Sequence, residues 1–350
     1  MQVTQLAEGS FKQHVTRLVR LLKIFVLLLN LLTMSLLGVL ALSTGGIAFS
    51  LKDELGRAVL LGSFSDTCAN RIDQSEKALQ VVVKAKDDFA SNTKEIVIIA
   101  PESVFALLDS ASDSHDITTF GGFSLSQQGL RQLQNAVSVV ESQDYDVGFI
   151  MVDITTGQGV AYNPDELFYC ASTIKAPFIV SLAAYSPFSV ELWEESMEAA
   201  ITYSSNEDYE YLYYAFGSEY LSAWYDEAGV SPLISEEFYT YYTSRELAKL
   251  WLRNYLFFMS DEPYCSLVQS WFAASENSII FDTLGSHYYM NTKAGWIDDY
   301  YEDYYAAADA GIVWAFDRPY LVVIMSDSPA DMQALELLVI ALDDAHKEML

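Results

Sequence analysis

The sequence is poor in cysteine and in basic residues. Its 350 residues include only Cys68, Cys170 and Cys265, without a C-x-x-C pair, so neither a disulfide scaffold nor a metal site is predicted. One disulfide with one free thiol and three buried thiols are both compatible with these positions. Lysine and arginine number 19 against 48 acidic residues, which gives a net charge of -29. This balance argues against nucleic acid or anionic lipid as an electrostatic partner.

Apolar residues are abundant, at 51%, and one long apolar run lies near the N-terminus. Residues 24–43 read IFVLLLNLLTMSLLGVLALS, and 20 uncharged residues at about 1.5 Å each match a hydrocarbon core of about 30 Å. Lys12, Arg17, Arg20 and Lys23 precede the run. The positive-inside rule therefore predicts a cytoplasmic tail over 1–23, a single membrane-spanning anchor over 24–43 and an extracellular remainder. A cleaved signal peptide is the alternative, but no A-x-A-like site follows the run.

The exported part is predicted to consist of two regions. Residues 44–123 mix a polar helical stretch, the short apolar run EIVII and the run DSASDSHD, and we interpret them as a stalk or accessory segment. Residues 124–350 predict a helix, a strand hairpin, a largely helical middle, three more strands and a closing helix. This order is typical of an α+β fold with a five-stranded antiparallel sheet flanked by helices and a helical subdomain. We expect a pocket between sheet and subdomain.

The first chemical motif is Ser-x-x-Lys at Ser172 and Lys175, at the start of an apolar helix. A spacing of three places the hydroxyl and the amine on one helix face, about 5 to 6 Å apart at Cβ. The lysine would accept the hydroxyl proton if burial, a second cation and the helix N-terminus lower its pKa. A second copy, Ser91 to Lys94, has no apolar helix behind it, and we interpret it as chance.

Two further motifs follow in the chain. Ser204-Ser205-Asn206 ends a helical stretch; a hydroxyl there would relay a proton and an amide would hold a carbonyl, although a helix cap explains it equally well alone. Lys293-Ala294-Gly295 lies on a predicted strand. Its cation would lower the pKa of a neighbouring lysine, and its glycine would let a substrate approach the strand.

In this order the three motifs match the S-x-x-K, S-D-N and K-T-G set of penicillin-recognising serine enzymes. From Ser124 to about Met349 the chain resembles the class A β-lactamase family. TSRELAKLW is similar to the helix after the family's omega loop, and DAGIV with RPYLVVIMSD is similar to the strands behind its K-T-G strand.

The resemblance implies a role for each motif residue. It makes Ser172 the acylated nucleophile, Lys175 its general base and Ser204 a proton shuttle. Asn206 would orient Lys175 and the substrate amide, and Lys293 would bind a substrate carboxylate. The substrate would lie beside Gly295, with the backbone N–H groups of Ser172 and Trp296 as the oxyanion hole. No cofactor is implied.

The sequence also departs from the family pattern. No E-x-x-L-N stretch occurs in the omega-loop interval, where Glu236 and Glu237 are the nearest acids, so efficient deacylation is not predicted. Ala294 stands where the K-T-G motif has a threonine with its hydroxyl, and the next arginine is as late as Arg318. The usual additional donors to a β-lactam carboxylate are therefore not predicted. The spacing of 32 residues from Ser172 to Ser204 is shorter than in the family, which indicates a smaller helical subdomain.

An acidic and aromatic stretch, IDDYYEDYY, follows Trp296 and carries Asp298, Asp299, Glu302 and Asp303. Such loops are most often solvated surface. A position at the mouth of the cleft would instead repel anionic substrates and favour cationic or amidated peptides.

The sequence thus predicts a membrane-anchored serine hydrolase that attacks a β-lactam or a D-Ala-D-Ala-like amide through an acyl-Ser172 intermediate. The alternative is a tethered sensor or binding module for β-lactams or cell-wall peptide, acylated without turnover. An intact set of Ser172, Lys175, Ser204 and Lys293 favours catalysis, and the missing omega-loop glutamate favours the sensor.

Overall fold

The computed structural model describes residues 98–231, 238–299, 304–315 and 318–350. The predicted tail over 1–23, the anchor over 24–43, most of the 44–123 segment and the Ser91 to Lys94 motif lie outside these ranges. Within them, no helix combines the length and the hydropathy needed to cross a membrane. Lys94–Leu350 form one compact unit.

An antiparallel sheet organises this unit. The strands in the described residues are β1 (Thr118–Phe120), β2 (Val147–Asp153), β3 (Gly159–Tyr162), β4 (Leu167–Tyr169), β5 (Tyr241–Thr243), β6 (Tyr289–Asp299), β7 (Tyr304–Trp314) and β8 (Tyr320–Ser326). Six of them form the sheet, in the order β1-β3-β2-β8-β7-β6. The sheet has six strands instead of the predicted five, because β1, a short strand from the accessory segment, adds to one edge beside β3. The other two strands, β4 and β5, form a separate antiparallel ribbon.

Ten α-helices are present in the described part of the chain. They are α1 (Val104–Ser110), α2 (Gln127–Glu141), α3 (Lys175–Tyr185), α4 (Pro187–Thr202), α5 (Asn206–Phe216), α6 (Glu219–Glu227), α7 (Ser244–Phe258), α8 (Cys265–Trp271), α9 (Ile279–Leu284) and α10 (Glu336–Met349). Four of them, α3 to α6, occupy the stretch between the hairpin and β5, as the predicted helical subdomain requires. The start of α7 carries a capping box between Thr243 and Glu246.

The sheet is covered on both faces, and alternate residues of β2 show this. Ile150 and Val152 contribute to one hydrophobic cluster, together with α3 and α7. Phe149 and Met151 point to the opposite face and join a second cluster with α2 and α10. All seven residues of β2 are buried, so the strand reads as a continuous apolar run instead of an alternating one.

Residues 101–120, which the sequence assigned to the stalk, pack within the compact unit. Arg245 at the start of α7 attaches them: its Nη2 donates to Ala111 O at 2.8 Å, and its Nη1 donates to Leu108 O. The same guanidinium binds Asp165 through Nε at 2.6 Å and Nη2 at 3.0 Å. The compact unit therefore begins upstream of the predicted boundary at residue 124.

A buried ion network ties the C-terminal helix to the sheet. Asp153 at the end of β2 accepts from Arg318 Nε at 2.8 Å and lies 3.0 Å from His346 Nε2. Arg318 also donates to Met349 O and to Thr156 Oγ1. Burial opposes the charge of Asp153, but the contacts with His346 and Arg318 together hold its pKa below the ordinary value. Arg318 therefore has a structural role in this network.

Candidate active site

The candidate nucleophile lies at a tight turn. A 3-10 helix over Ala171–Ile174 follows β4 and leads directly into α3. Ser172 is half-buried and lies in this 3-10 turn, one turn before the first residue of α3, Lys175. Ala171 has a φ of 42°, a conformation that costs a non-glycine residue about 1 to 3 kcal/mol. Cys170 N donates to Thr240 O at 2.9 Å, which fixes the turn to the segment entering β5. The backbone bonds of the neighbouring residues therefore fix the position of Ser172.

Lys175 is fully buried and lies at the centre of a polar cluster. Its Nζ donates to Asn206 Oδ1 at 2.6 Å and to Ser204 O at 2.7 Å. The ring of Tyr209 lies 5.6 Å from the same atom. Burial, and next the positive charge of Lys293, lower the pKa of Lys175 to about 7. Near neutral pH a substantial fraction of this lysine is therefore a free amine, able to accept a proton.

The three residues of the Ser204-Ser205-Asn206 motif make different contacts in the structure. Ser205 is the N-cap of α5, accepting from Asp208 N at 3.2 Å, so the capping interpretation holds for that residue. Ser204 has a φ of 55° and directs its carbonyl to Lys175 and its hydroxyl to Lys293. Asn206 is the first residue of α5 and supplies the amide oxygen that Lys175 contacts.

Lys293 on edge strand β6 completes the cluster. Its Nζ donates to Ser204 Oγ and to Ala294 O, each at 3.0 Å. The residue is fully buried, and burial lowers the pKa of Lys293 to about 7 against the opposing charges of Asp309 and Glu276. Ser204 thereby connects the two lysines, through its carbonyl oxygen on one side and its hydroxyl on the other.

Gly295 lets β6 lie against the turn that carries Ser172. A Cβ at this position would stand 2.7 Å from both Ser172 N and Thr173 N, and 2.9 Å from Cys170 O. These are backbone atoms that cannot move aside easily, so only glycine fits. Half-buried Trp296 follows on the same strand. The backbone of β6 at Gly295 therefore lies close to the backbone N–H of Ser172.

We therefore expect Gly295→Ala to lower the rate of Ser172 acylation about 100-fold, since the added methyl group displaces the Ser172 turn. The measurement is the rate of adduct formation with a penicillin, followed by intact-mass spectrometry. Gly217→Ala is the control: Gly217 has a φ of 70° and nothing within 4 Å of the added Cβ. That variant costs about 1 to 3 kcal/mol of backbone strain, because a φ of 70° with a ψ of -162° is a conformation that residues other than glycine rarely adopt. Equal acylation rates for both variants would contradict the assigned role of Gly295.

Tyr239 is a site residue that the sequence analysis did not identify. Its Oη donates to Asn206 Oδ1 at 3.2 Å, the same oxygen that Lys175 contacts. It belongs to an aromatic group beside the cluster, where Tyr169 stacks on Tyr304 at 4.6 Å and contacts Tyr241 edge-on at 5.4 Å. A chain with 23 tyrosines gives no sequence signal that separates this one from the others.

Among the other residues singled out in the sequence, Ala294 contributes its carbonyl oxygen to the cluster and is fully buried opposite Asp309 on β7. Arg318 is held in the ion network described above. Asp298 and Asp299 end β6, with Asp298 exposed. Glu236, Glu237, Glu302 and Asp303 lie outside the described residues. Cys170 is buried and Cys265 is partly buried, and within the described ranges no group of three or more histidine, cysteine or acidic residues is placed to hold a metal ion.

One family model and several solved structures match this chain. The model of a family described as "Beta-lactamase enzyme family" matches residues 130–187, which include Ser172 and Lys175. A crystal structure of a β-lactamase from Sphaerobacter thermophilus DSM 20745 is 15% identical, with a TM-score of 0.53, and the match covers 64% of this chain and 99% of that chain.

Two other solved structures score lower. PBP-A is 17% identical with a TM-score of 0.49, over 61% of this chain and 96% of that one. A β-lactamase from Streptomyces albus G is 17% identical with a TM-score of 0.48, over 61% of this chain and 99% of that one. No curated protein matches the sequence.

Proposed function

We propose that this chain, which is a member of the serine β-lactamase and penicillin-binding protein superfamily, attacks a β-lactam or a D-Ala-D-Ala-like amide through an acyl-Ser172 intermediate. The observation that carries the proposal is the convergence of Lys175, Ser204 and Lys293 beside the Ser172 turn. Three motifs far apart in the chain meet there through hydrogen bonds of 2.6 to 3.0 Å. Such a constellation supplies a nucleophile, a base and a proton relay together.

In the proposed reaction, the proton donors and acceptors all belong to this cluster. The neutral amine of Lys175 takes the proton of Ser172 as Oγ bonds to the substrate carbonyl carbon. The developing oxyanion accepts from the backbone N–H groups of Ser172 and Trp296. Cleavage of the C–N bond restores the carbonyl as an ester. The Ser204 hydroxyl gives its proton to the departing nitrogen and takes one from the ammonium of Lys293, which donates to it, so the cluster ends with Lys175 protonated and Lys293 neutral. Before this transfer the charged Lys293 would attract a substrate carboxylate.

The low pKa of Lys175 supports its role as base. An ordinary lysine is almost wholly protonated at pH 7 and would accept no proton. Here burial and Lys293 lower the pKa of Lys175 to about 7, so a substantial fraction of the molecules hold the neutral amine at that pH.

The second candidate is a sensor or binding module that is acylated but does not turn over. Tyr239 favours it, because among the described residues of the omega-loop interval the group that bonds to Asn206 is a phenol. Burial raises the pKa of Tyr239, so the phenol stays protonated and is a poor base for activating water.

Intact-mass spectrometry of the full chain, over time after mixing with a penicillin, separates these functions. An adduct that appears and disappears as product accumulates indicates a β-lactamase. A persistent adduct indicates a sensor or a penicillin-binding protein. Absence of any adduct, with penicillins and with a D-Ala-D-Ala peptide ester, would refute acyl transfer by Ser172 on these substrate classes.

For localisation, we propose that residues 24–43 anchor the chain in the cell membrane, with 1–23 cytoplasmic and the hydrolase domain outside. The support is the uncharged 20-residue run and the four basic residues before it. We expect the full chain to sediment with membranes, to resist extraction by high salt and to be digested by protease added to intact cells. A variant lacking 1–43 should remain in the soluble fraction; its sedimentation with membranes would contradict the anchor.

A further inference from the structure

Tyr239 shares one acceptor atom with Lys175. Asn206 Oδ1 receives the Lys175 ammonium at 2.6 Å and the Tyr239 hydroxyl at 3.2 Å. An amide oxygen has two lone pairs, so both bonds are allowed, but each donor reduces the electron density available to the other. The phenol is therefore placed to control how strongly this oxygen holds the lysine.

The ring of Tyr239 has little freedom to leave this position. It lies 4.8 Å from Phe238, 5.6 Å from Tyr209 and 6.2 Å from Tyr169, measured between ring centroids. The next residue is fixed to the Ser172 turn, because Thr240 N donates to Cys170 Sγ at 3.2 Å. Packing and backbone bonds thus position the hydroxyl with respect to the same turn that carries Ser172.

We propose that Tyr239 is a positioning residue for Lys175, whose hydroxyl occupies part of the Asn206 acceptor and so weakens its hold on the ammonium form. This inference rests on the proposed function of Lys175 as a base. Removing the hydroxyl leaves the amide oxygen wholly to the lysine, and a stronger hydrogen bond to the charged form favours that form. The chain would then need a higher pH to generate the free amine.

The other groups around Lys175 are the same with and without the Tyr239 hydroxyl. Lys293 adds positive charge from β6, Cys170 lies on the Ser172 turn, and Tyr209 contributes its ring from α5. Because burial raises the pKa of Tyr239, the phenol stays a donor across the range in which Lys175 titrates. A change in pH dependence that follows loss of this one hydroxyl is therefore assignable to it.

The test is Tyr239→Phe in the full chain, which removes the hydroxyl and keeps the ring. We expect the midpoint of the pH profile of acylation to rise by about 0.5 to 1 unit. At pH 6 the rate should fall about three- to tenfold, while above pH 9 it should stay within about twofold of the parent, since the free amine dominates there. Tyr213→Phe is the control, because Tyr213 packs on Phe238 at 4.9 Å and bears no bond to Asn206.

A second readout needs no substrate. Lysine labelled with ¹³C at Cε reports the titration of Lys175 by NMR, with Lys175→Met to assign the signal. A higher midpoint in Tyr239→Phe than in the parent and in Tyr213→Phe supports the proposal. An unchanged midpoint overturns it, and so does a rate loss that is equal at every pH. Failure of the parent to form any adduct would instead refute the proposed function, leaving the NMR comparison to decide on Tyr239.

Discussion

Lys175→Ala is expected to slow acylation of Ser172 about 100- to 10,000-fold, the range that a positioned general base contributes. The buried Lys175 amine, whose pKa is about 7, bonds to Ser204 O and Asn206 Oδ1 in the cluster beside Ser172. The measurement is the rate of penicillin adduct formation at pH 7.5, with substrate in excess. Lys94→Ala is the matched control, because Lys94 ends the other Ser-x-x-Lys sequence of the chain.

The pH dependence has a definite sign. Acylation by the parent should rise as pH increases through about 7, because the active form of Lys175 is the deprotonated one and its pKa is lowered to that region. In Lys175→Arg the side chain stays protonated throughout, so the rate should be low and should lack this inflection. A parent profile that falls between pH 6 and 8 would contradict the assignment of Lys175 as base.

Sequence patterns predicted the centre of the fold well, because its elements are long and apolar. The hairpin of β2 and β3, the helix that begins at Lys175 and the strands from Tyr289 to Ser326 all follow periodic or continuous hydrophobic runs. The strand Thr118–Phe120 was missed because three residues with one buried side chain carry no periodicity. Its pairing with β3 depends on tertiary contact alone.

The motif residues of the site were predictable because their chemistry requires specific residue types at specific spacings. The structure brings Lys175, Ser204, Asn206 and Lys293 into one bonded cluster and places Gly295 against the Ser172 turn. Tyr239 was not predictable, because its role depends on where a loop places one hydroxyl. The attachment of residues 104–111 by Arg245 is likewise a long-range contact without a sequence signature.

Ser172→Ala is expected to abolish the covalent adduct altogether, because it removes the atom that the proposed reaction joins to the substrate. No other group in the cluster replaces the hydroxyl as the atom that bonds to the substrate carbon: in the proposed reaction Ser204 relays a proton, and its hydroxyl accepts from Lys293 Nζ at 3.0 Å. The measurement is intact mass after long incubation with a penicillin, followed by digestion to locate any modified peptide.

Ser91→Ala provides the decisive comparison, because it removes the corresponding hydroxyl from the other Ser-x-x-Lys sequence. We expect that variant to form the adduct at the rate of the parent, with the modified peptide containing Ser172. Loss of the adduct in Ser91→Ala and its retention in Ser172→Ala would refute the site. A noncovalent binder would show a third pattern, in which neither the parent nor either variant gains mass while a penicillin still shifts the melting temperature of all three.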